Sequence, residues 1–449
     1  MLKNIAMFMI ALAATVSNAE ASGNDLFFRM ESQLAMKDRV AEIVTAYPDG
    51  ALLYVTDASG KKINMVDITD PASPMSIGSI STGNGEPTSV AMDPEGRFLV
   101  ATVRNGDTGE NPAPGTLLVY GLANPATPEL QGTLSLGVGP DSVATAREDG
   151  RLVAIVAIED EELGDDGEIP LPGVRPGMVQ LVILNEKDPA ESQIVDIQFP
   201  QAMLQEIPGV NFCADAQPEF VAIHPEKNEF AVSLQENNAI AIVDFSNVQD
   251  PEVTSLFSTG VIHRRTDKRK DGRVEFKDII KGRLEPDGIA YAKFRGRYVL
   301  ATANEGDTSF KTFDNDEYSG GRGMSLFDPE TGKMMWDSGI KLEEMAFLQD
   351  LYPDERSDSR GFEVGAVTTG YFYGRQLLVG AAKRGSFLAV YDLQGDEPVL
   401  LTLLPTGKRP ESVLCLSNHS SGKKLIISAN EGDGTINIFS VRHGEFLGE

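Results

Sequence analysis

Pro218-Glu219-Phe220-Val221-Ala222 opens a stretch that ends in Gln235-Glu236-Asn237-Asn238-Ala239-Ile240-Ala241-Ile242-Val243-Asp244, and its pattern decides the fold. An acid follows a proline at the head of a short apolar strand. A second strand then runs into a polar turn, and a third closes on Asp. Short strands with period-2 or continuous apolar patterning, divided by Gly, Pro, Asn and Asp, satisfy the rules for β-structure, and helical periodicity is scarce. The exception is residues 342–351, which read as a short amphipathic helix inside an insertion.

The unit recurs seven times. Its openings are Ala41-Glu42-Ile43-Val44, Pro87-Thr88-Ser89-Val90, Pro140-Asp141-Ser142-Val143, Pro218-Glu219-Phe220-Val221, Pro286-Asp287-Gly288-Ile289, Phe362-Glu363-Val364-Gly365 and Pro410-Glu411-Ser412-Val413. Seven units predict an all-β, seven-bladed β-propeller over residues 20–449. Radial repetition lets such a single toroidal domain exceed the ~250 to 300 residues at which most cores divide. The last unit runs out after its third strand, so residues 26–35 are expected to supply the missing outer strand of blade seven and tie the ends of the ring. Extra length falls in loops at 159–177, 263–284, 308–323 and 340–361.

The chain has 449 residues, with 39 Lys and Arg against 67 Asp and Glu, for a formal charge of −28. This balance opposes nonspecific binding to nucleic acid or anionic membranes, which need a cationic surface. An acidic ligand would have to find a local basic patch. Residues 1–19 carry Lys3, an apolar run of about a dozen residues and Ser17-Asn18-Ala19, the pattern of a cleaved secretory signal. That run is short of the ~20 residues a membrane span needs, so a periplasmic or secreted protein with no integral membrane segment is expected. Four scattered histidines and two cysteines give no zinc-binding spacing. Cys213 and Cys415 fall in nonadjacent blades and are expected to be separate thiols. The common hydrolase, nucleotide-triphosphatase and dinucleotide motifs are missing.

Leu53-Tyr54-Val55-Thr56-Asp57 and Ile63-Asn64-Met65-Val66-Asp67 resemble the YVTN family of β-propeller repeats. A wider set comprises Pro218 to Ala222, Gln235 to Asp244, Glu285-Pro286-Asp287-Gly288-Ile289-Ala290, Ala303-Asn304-Glu305-Gly306-Asp307 and Asp358-Ser359-Arg360-Gly361. Together these are similar to the choice-of-anchor I family, relatives of the mesenchyme-specific cell-surface glycoprotein. The resemblance implies an exported seven-bladed propeller, often carried with a surface anchor. Departures from the family pattern are Gln217, Phe362 and the basic Lys383-Arg384 turn.

In a propeller, the loop into the inner strand and the loop between the second and third strands open on one face. Aligned by their openings, six units place an acid at one position: Glu42, Asp141, Glu219, Asp287, Glu363 and Glu411, with Thr88 the exception. The second loop adds Glu159, Glu236, Glu305 with Asp307, and Glu431 with Asp433. Singly, Pro-acid and Asn-Glu-Gly-Asp are ordinary turn chemistry. As a ring they raise a question of charge, because two carboxylates about 6 Å apart repel by roughly 3 kcal/mol at an effective dielectric of ~20. Bound hard cations, raised carboxyl pKa values or protein cations could offset this.

Calcium, which takes six to eight oxygens, suits such a mouth, although residues 314–319 lack the glycine of an EF-hand loop. Protein cations in the same register are Arg104, Arg360, Lys383, Arg384 and Arg409. Arg360, Arg384 and Arg409 are expected either to form one basic wall for a phosphate or carboxylate or simply to pair with Glu363 and Glu411. The basic run at 263–273 reads either as a solvated loop or as a cover over the mouth. The expected function is a noncatalytic binding module for a cation, a small ligand or a surface protein. The alternative is a calcium-assisted, phytase-like phosphoesterase, and a lactonase-like hydrolase is a third reading.

Overall fold

The computed structural model describes residues 26–37, 40–107, 111–160, 175–306 and 320–444. The signal reading of residues 1–19, the carboxylate of Asp307 and the acidic run at 314–317 lie outside these residues. Seven antiparallel four-stranded sheets make up the blades of a propeller. The innermost strands are Val44–Ala46, Glu86–Met92, Pro140–Glu148, Pro218–Ile223, Pro286–Phe294, Val364–Phe372 and Pro410–Leu416. The expected fourth strands are present as Met75–Ser81 in blade one and Glu252–Ser258 in blade four.

Burial explains the patterning. Second and third strands lie between neighbouring blades and are covered on both faces, as in Leu52–Asp57 and Phe387–Asp392, where every residue is buried. Such strands need continuous apolar sequence. Outer strands such as Met75–Ser81 face water. The core is accordingly divided among the described residues into seven clusters, each between consecutive blades: Ile155, Leu181, Phe230 and Val243 join blades three and four, and Leu326, Val364 and Leu378 join blades five and six. No central core is needed, which is how one ring accommodates a chain of this length.

The N-terminal strand Leu26–Ala35 pairs antiparallel with Thr435–His443 from Leu26↔His443 to Ala35↔Thr435, completing blade seven. Glu31 accepts hydrogen bonds from Ser440 Oγ (2.6 Å), Arg442 (2.9 Å) and Lys423 (3.0 Å). Burial opposes its ionisation, but these donors hold its carboxyl down to about 2.

Six of the seven inner strands begin with an irregularity, Val44–Ala46 of blade one being the exception. Register shifts follow Pro87, Pro140, Pro218, Pro286, Val364 and Pro410. A bulge re-aims the next side chain off the ladder, and that is the acid's position. Side chains then lace adjacent blades together at their inner ends. Ser412 Oγ donates to Glu42 O (2.6 Å), Thr88 Oγ1 to Pro140 O (2.8 Å) and Ser233 Oγ to Asp287 O (2.7 Å), while Ser142 Oγ accepts from Val221 N (3.2 Å). Between blades five and six Gly288 allows the strands to touch, since a Cβ there would lie 2.8 Å from Gly365 O.

The basic run is no loose loop: Val261–Thr266 pairs with Asp278–Arg283 as a two-stranded ribbon. The insertion helix spans Gly339–Leu348, beginning and ending three residues before the expected limits. Cys213 and Cys415 are separate thiols.

Deleting residues 26–36 would leave Thr435–His443 as an unpaired edge, the kind of strand that recruits other chains. The truncated protein is expected to melt at a lower temperature and to associate as concentration rises. Calorimetry and light scattering check this; an unchanged monomer with an unchanged melting temperature would contradict it.

Candidate functional site at the mouth of the propeller

Backbone hydrogen bonds fix the loop after each second strand beside the head of the inner strand. Glu159 N donates to Gly139 O (3.0 Å), Gln235 N to Gln217 O (3.1 Å), Lys383 N to Glu363 O (2.7 Å) and Glu431 N to Arg409 O (2.9 Å). The two loop classes therefore meet, and their side chains interact across blades. Glu42 feels Glu431 and Glu411; Glu219 feels Glu159, Asp141, Asp287 and Glu236.

Register corrects one alignment. Val364 pairs with Ala382 as Pro410 pairs with Asn430, so Gly365, not Glu363, occupies the acid position of blade six. Phe362 standing where a proline was expected had placed the unit two residues early. Five acids share the position, Thr88 and Gly365 being the exceptions. Lys383, in turn, is the register equivalent of Glu159, Glu305 and Glu431. A Cβ on Gly365 would collide with the Lys383 side chain and lie 2.9 Å from Asp287 Oδ2. Glycine thus opens the path by which the ammonium reaches three carboxylates: Glu411 (2.8 Å), Glu305 (3.3 Å) and Asp287 (3.4 Å).

The remaining cations do not form one wall. Arg360 pairs with Glu305, Arg384 with Glu363 (3.3 Å), Arg409 with Glu431 (2.7 Å) and Arg104 with Glu86 (3.1 Å). Arg356, which the sequence reading missed, also bonds Glu363 (3.0 Å). It lies one helical turn's spacing before Arg360, in the insertion before blade six. Asp433 turns to its own loop and accepts from Thr435 Oγ1 at 2.7 Å.

The mouth therefore has two kinds of wall. Across blades five to seven, carboxylates meet cations: burial opposes ionisation of Glu363, but Arg360, Arg384, Lys383 and Arg356 bring its pKa below the usual range. Burial likewise works against the Lys383 ammonium, which Glu411 and Asp287 nevertheless hold in its charged form. Across blades three and four, acids meet acids. Carboxylate oxygens of Glu159, Glu219 and Glu236 lie within 4.8 Å of one another. Two charges at that distance repel by about 3 to 4 kcal/mol at an effective dielectric of ~20. Burial and the surrounding carboxylates push Glu219 well above its ordinary value. Burial raises Glu236 to about 7 despite its own backbone N–H and Arg360, and Glu236 Oε2 is enclosed without a hydrogen-bond partner. Glu42 rises to about 8 through burial and Glu431, and Asp287 to about 6 because burial outweighs the pull of Lys383.

These raised groups carry protons in the folded state that the unfolded chain has released above about pH 4.5. Their contribution to stability is complete below that pH and is lost as pH climbs through the folded values. In chelating buffer the melting temperature is expected to fall between about pH 5 and about pH 8.5, and Glu42→Gln to flatten the upper part of that fall. A level or rising profile over the interval would contradict the assignment. Glu31, held at about 2, acts only below it.

Among the described residues no helix is long and apolar enough to cross a membrane. No curated protein sequence matches the chain. Its backbone is similar to solved propellers: the β-propeller domain of Myceliophteria thermophila Cps50 (Swd1), at a TM-score of 0.52 and 10% identity, covering 91% of this chain and 99% of that one, and the WD40 repeats of RRP9, at 0.56 and 9%, covering 94% and 98%. At such identity the likeness extends to the fold alone. The choice-of-anchor I domain matches residues 42–319 and 310–396, most of the chain from blade one through blade six, and this chain belongs to that family.

Proposed function

We propose that the protein is an exported, surface-associated binding module whose mouth holds a hard divalent cation, calcium, between blades three and four. The observation that carries this reading is the convergence of Glu159, Glu219 and Glu236 within 4.8 Å, with Glu236 Oε2 buried and unpartnered. A proton or a cation relieves that crowding. All three donors are carboxylates, with no histidine or thiolate in the group, which favours a hard cation over zinc. Asp141 adds its charge to the same arc. On this reading Lys383 keeps the metal out of blades five to seven by occupying Asp287, Glu305 and Glu411 itself.

Binding is preferred to hydrolysis because the guanidiniums a phosphoryl group would need are engaged. Arg360, Arg384 and Arg409 each hold a mouth carboxylate. A phytase-like reaction would have to free at least one of them.

Calorimetric titration and thermal melts with calcium test the reading. At a hundredfold excess over Kd, calcium is expected to add about 2.7 kcal/mol of stability. Glu219→Gln and Glu236→Gln should each weaken binding at least tenfold, while stabilising the calcium-free protein at pH 8. Absence of any calcium-dependent shift at neutral pH would refute it. Turnover of phytate or phosphomonoesters that chelator abolishes would favour the hydrolase.

A further inference from the structure

The ribbon inserted between blades four and five bears charge opposite to the rest of the molecule, and a short helix from the insertion before blade six packs beside it. Residues 261–283 contain nine Lys and Arg against four Asp and Glu, a net of +5 in a chain of −28. On the ribbon, Val261 opposes Arg283, His263 opposes Lys281 and Arg265 opposes Ile279. Strand alternation puts these six on one face, while Ile262, Thr266 and Ile280 are buried on the other. Arg265, Lys270 and Arg273 are exposed and make no salt bridge among the described residues. Large apolar side chains are exposed on the same insertions: Ile279, which opposes Arg265 on the ribbon, is 66% exposed, and on the helix Leu348 is 72% and Phe347 44% exposed. Phe276 of the ribbon packs edge-on against Phe347, with ring centroids 6.1 Å apart, so the two apolar groups are neighbours.

This surface is held rigidly. Thr266 Oγ1 donates to Glu343 of the helix (2.6 Å), Arg264 pairs with Asp337 (3.3 Å), and Gly272 N donates to Asp354 (2.7 Å). Arg322, fully buried, bonds Thr266 and Asp267 of the ribbon and the carbonyls of Ser357 and Ser359 (both 2.8 Å). The ribbon is therefore fastened to the insertion helix and is not free to swing over the mouth.

We propose that this platform docks the protein on an anionic phospholipid surface. Cations interleaved with exposed Ile, Leu and Phe match the boundary between headgroups and acyl chains, where charge and apolar area are rewarded together. A soluble polyanion would engage the cations and leave Ile279 and Leu348 in water. The acidic remainder of the chain does not prevent contact, because charges beyond about 8 Å are screened at physiological salt. The inference is independent of the cation reading and uses none of Glu159, Glu219 or Glu236.

The test is co-sedimentation of the purified protein with vesicles of phosphatidylcholine alone or with about one-third phosphatidylglycerol, at about 50 and 500 mM salt. Binding is expected only to the anionic vesicles and to weaken at high salt. The combined variant Arg265→Glu, Lys270→Glu, Arg273→Glu should lose at least tenfold in affinity, and Ile279→Ser with Leu348→Ser about tenfold. All five positions are exposed, so unchanged melting temperatures will confirm intact folds. Failure to sediment with anionic vesicles at low salt overturns the proposal. So does full binding by either variant: indifference to the serine changes identifies a polyanion site. Association without lipid that the glutamate variant abolishes identifies a second copy of the chain as the partner.

Discussion

One ammonium, that of Lys383, decides how charge is divided around the mouth. The inner-strand bulges turn Asp141, Glu219, Asp287 and Glu411 toward a common space, and Glu42 and the neighbouring loops add more. Carboxylates gathered out of water cannot all remain ionised without compensation. Lys383 compensates Asp287, Glu305 and Glu411 at once, and it reaches them because blade six carries Gly365 where the other blades carry an acid or a threonine. The exchange is double: blade six loses one carboxylate from its inner strand and gains a cation from its loop. Blades three and four undergo no such exchange, so their acids are left facing one another.

That arrangement holds only because the ring is stiff. Each blade interface has its own hydrophobic cluster, and serine and threonine side chains join each blade to its neighbour near the inner strands. A mouth with loosely held blades would relax the repulsion by spreading. The insertion before blade six adds a further restraint. Buried Arg322 grips Ser357 and Ser359, and the segment between Tyr352 and Phe362 consequently presents Arg356 to Glu363 and Arg360 to Glu305. Burying a guanidinium is costly unless its donors are satisfied; both terminal nitrogens of Arg322 are met, by carbonyls, hydroxyls and Glu343, while its Nε has no hydrogen-bond partner.

The ring, its blade number and its closure by residues 26–35 were legible because strand periodicity and Pro-acid openings repeat at the level of local sequence. Charge placement was less so. The acids of blades one, three, four, five and seven follow from counting within each unit. Glu363 does not, since Phe362 resembles an opening residue while the bulge begins at Val364. Nothing in a linear reading marks Gly365 as space for a side chain arriving from another strand. The pairing of each arginine with a different carboxylate depends on side-chain reach across blades, which spacing does not encode. The ribbon at 261–283 was masked by its own charge: the six cations of 263–273 suggested a solvated loop or a cover, although Ile262 and Ile280 alternate with charged residues in the period of a strand.

The likeness to other propellers fixes a scaffold and says nothing of chemistry, since sites are grafted on folds. Individuality here lies in the mouth, and its two walls respond differently to conditions. Where Lys383 is the counter-ion, compensation is covalently attached and persists at any pH at which the ammonium survives. Where Glu159, Glu219 and Glu236 meet, protons offset the crowding at lower pH, and on the proposed reading a cation would do so at higher pH. A cation entering there displaces protons from Glu219 and Glu236, so its affinity rises with pH over the range in which those groups titrate. On the proposed reading, the crowding that lowers the stability of the calcium-free ring as pH rises would also raise the affinity of a cation, and both would follow from three carboxylates held close together.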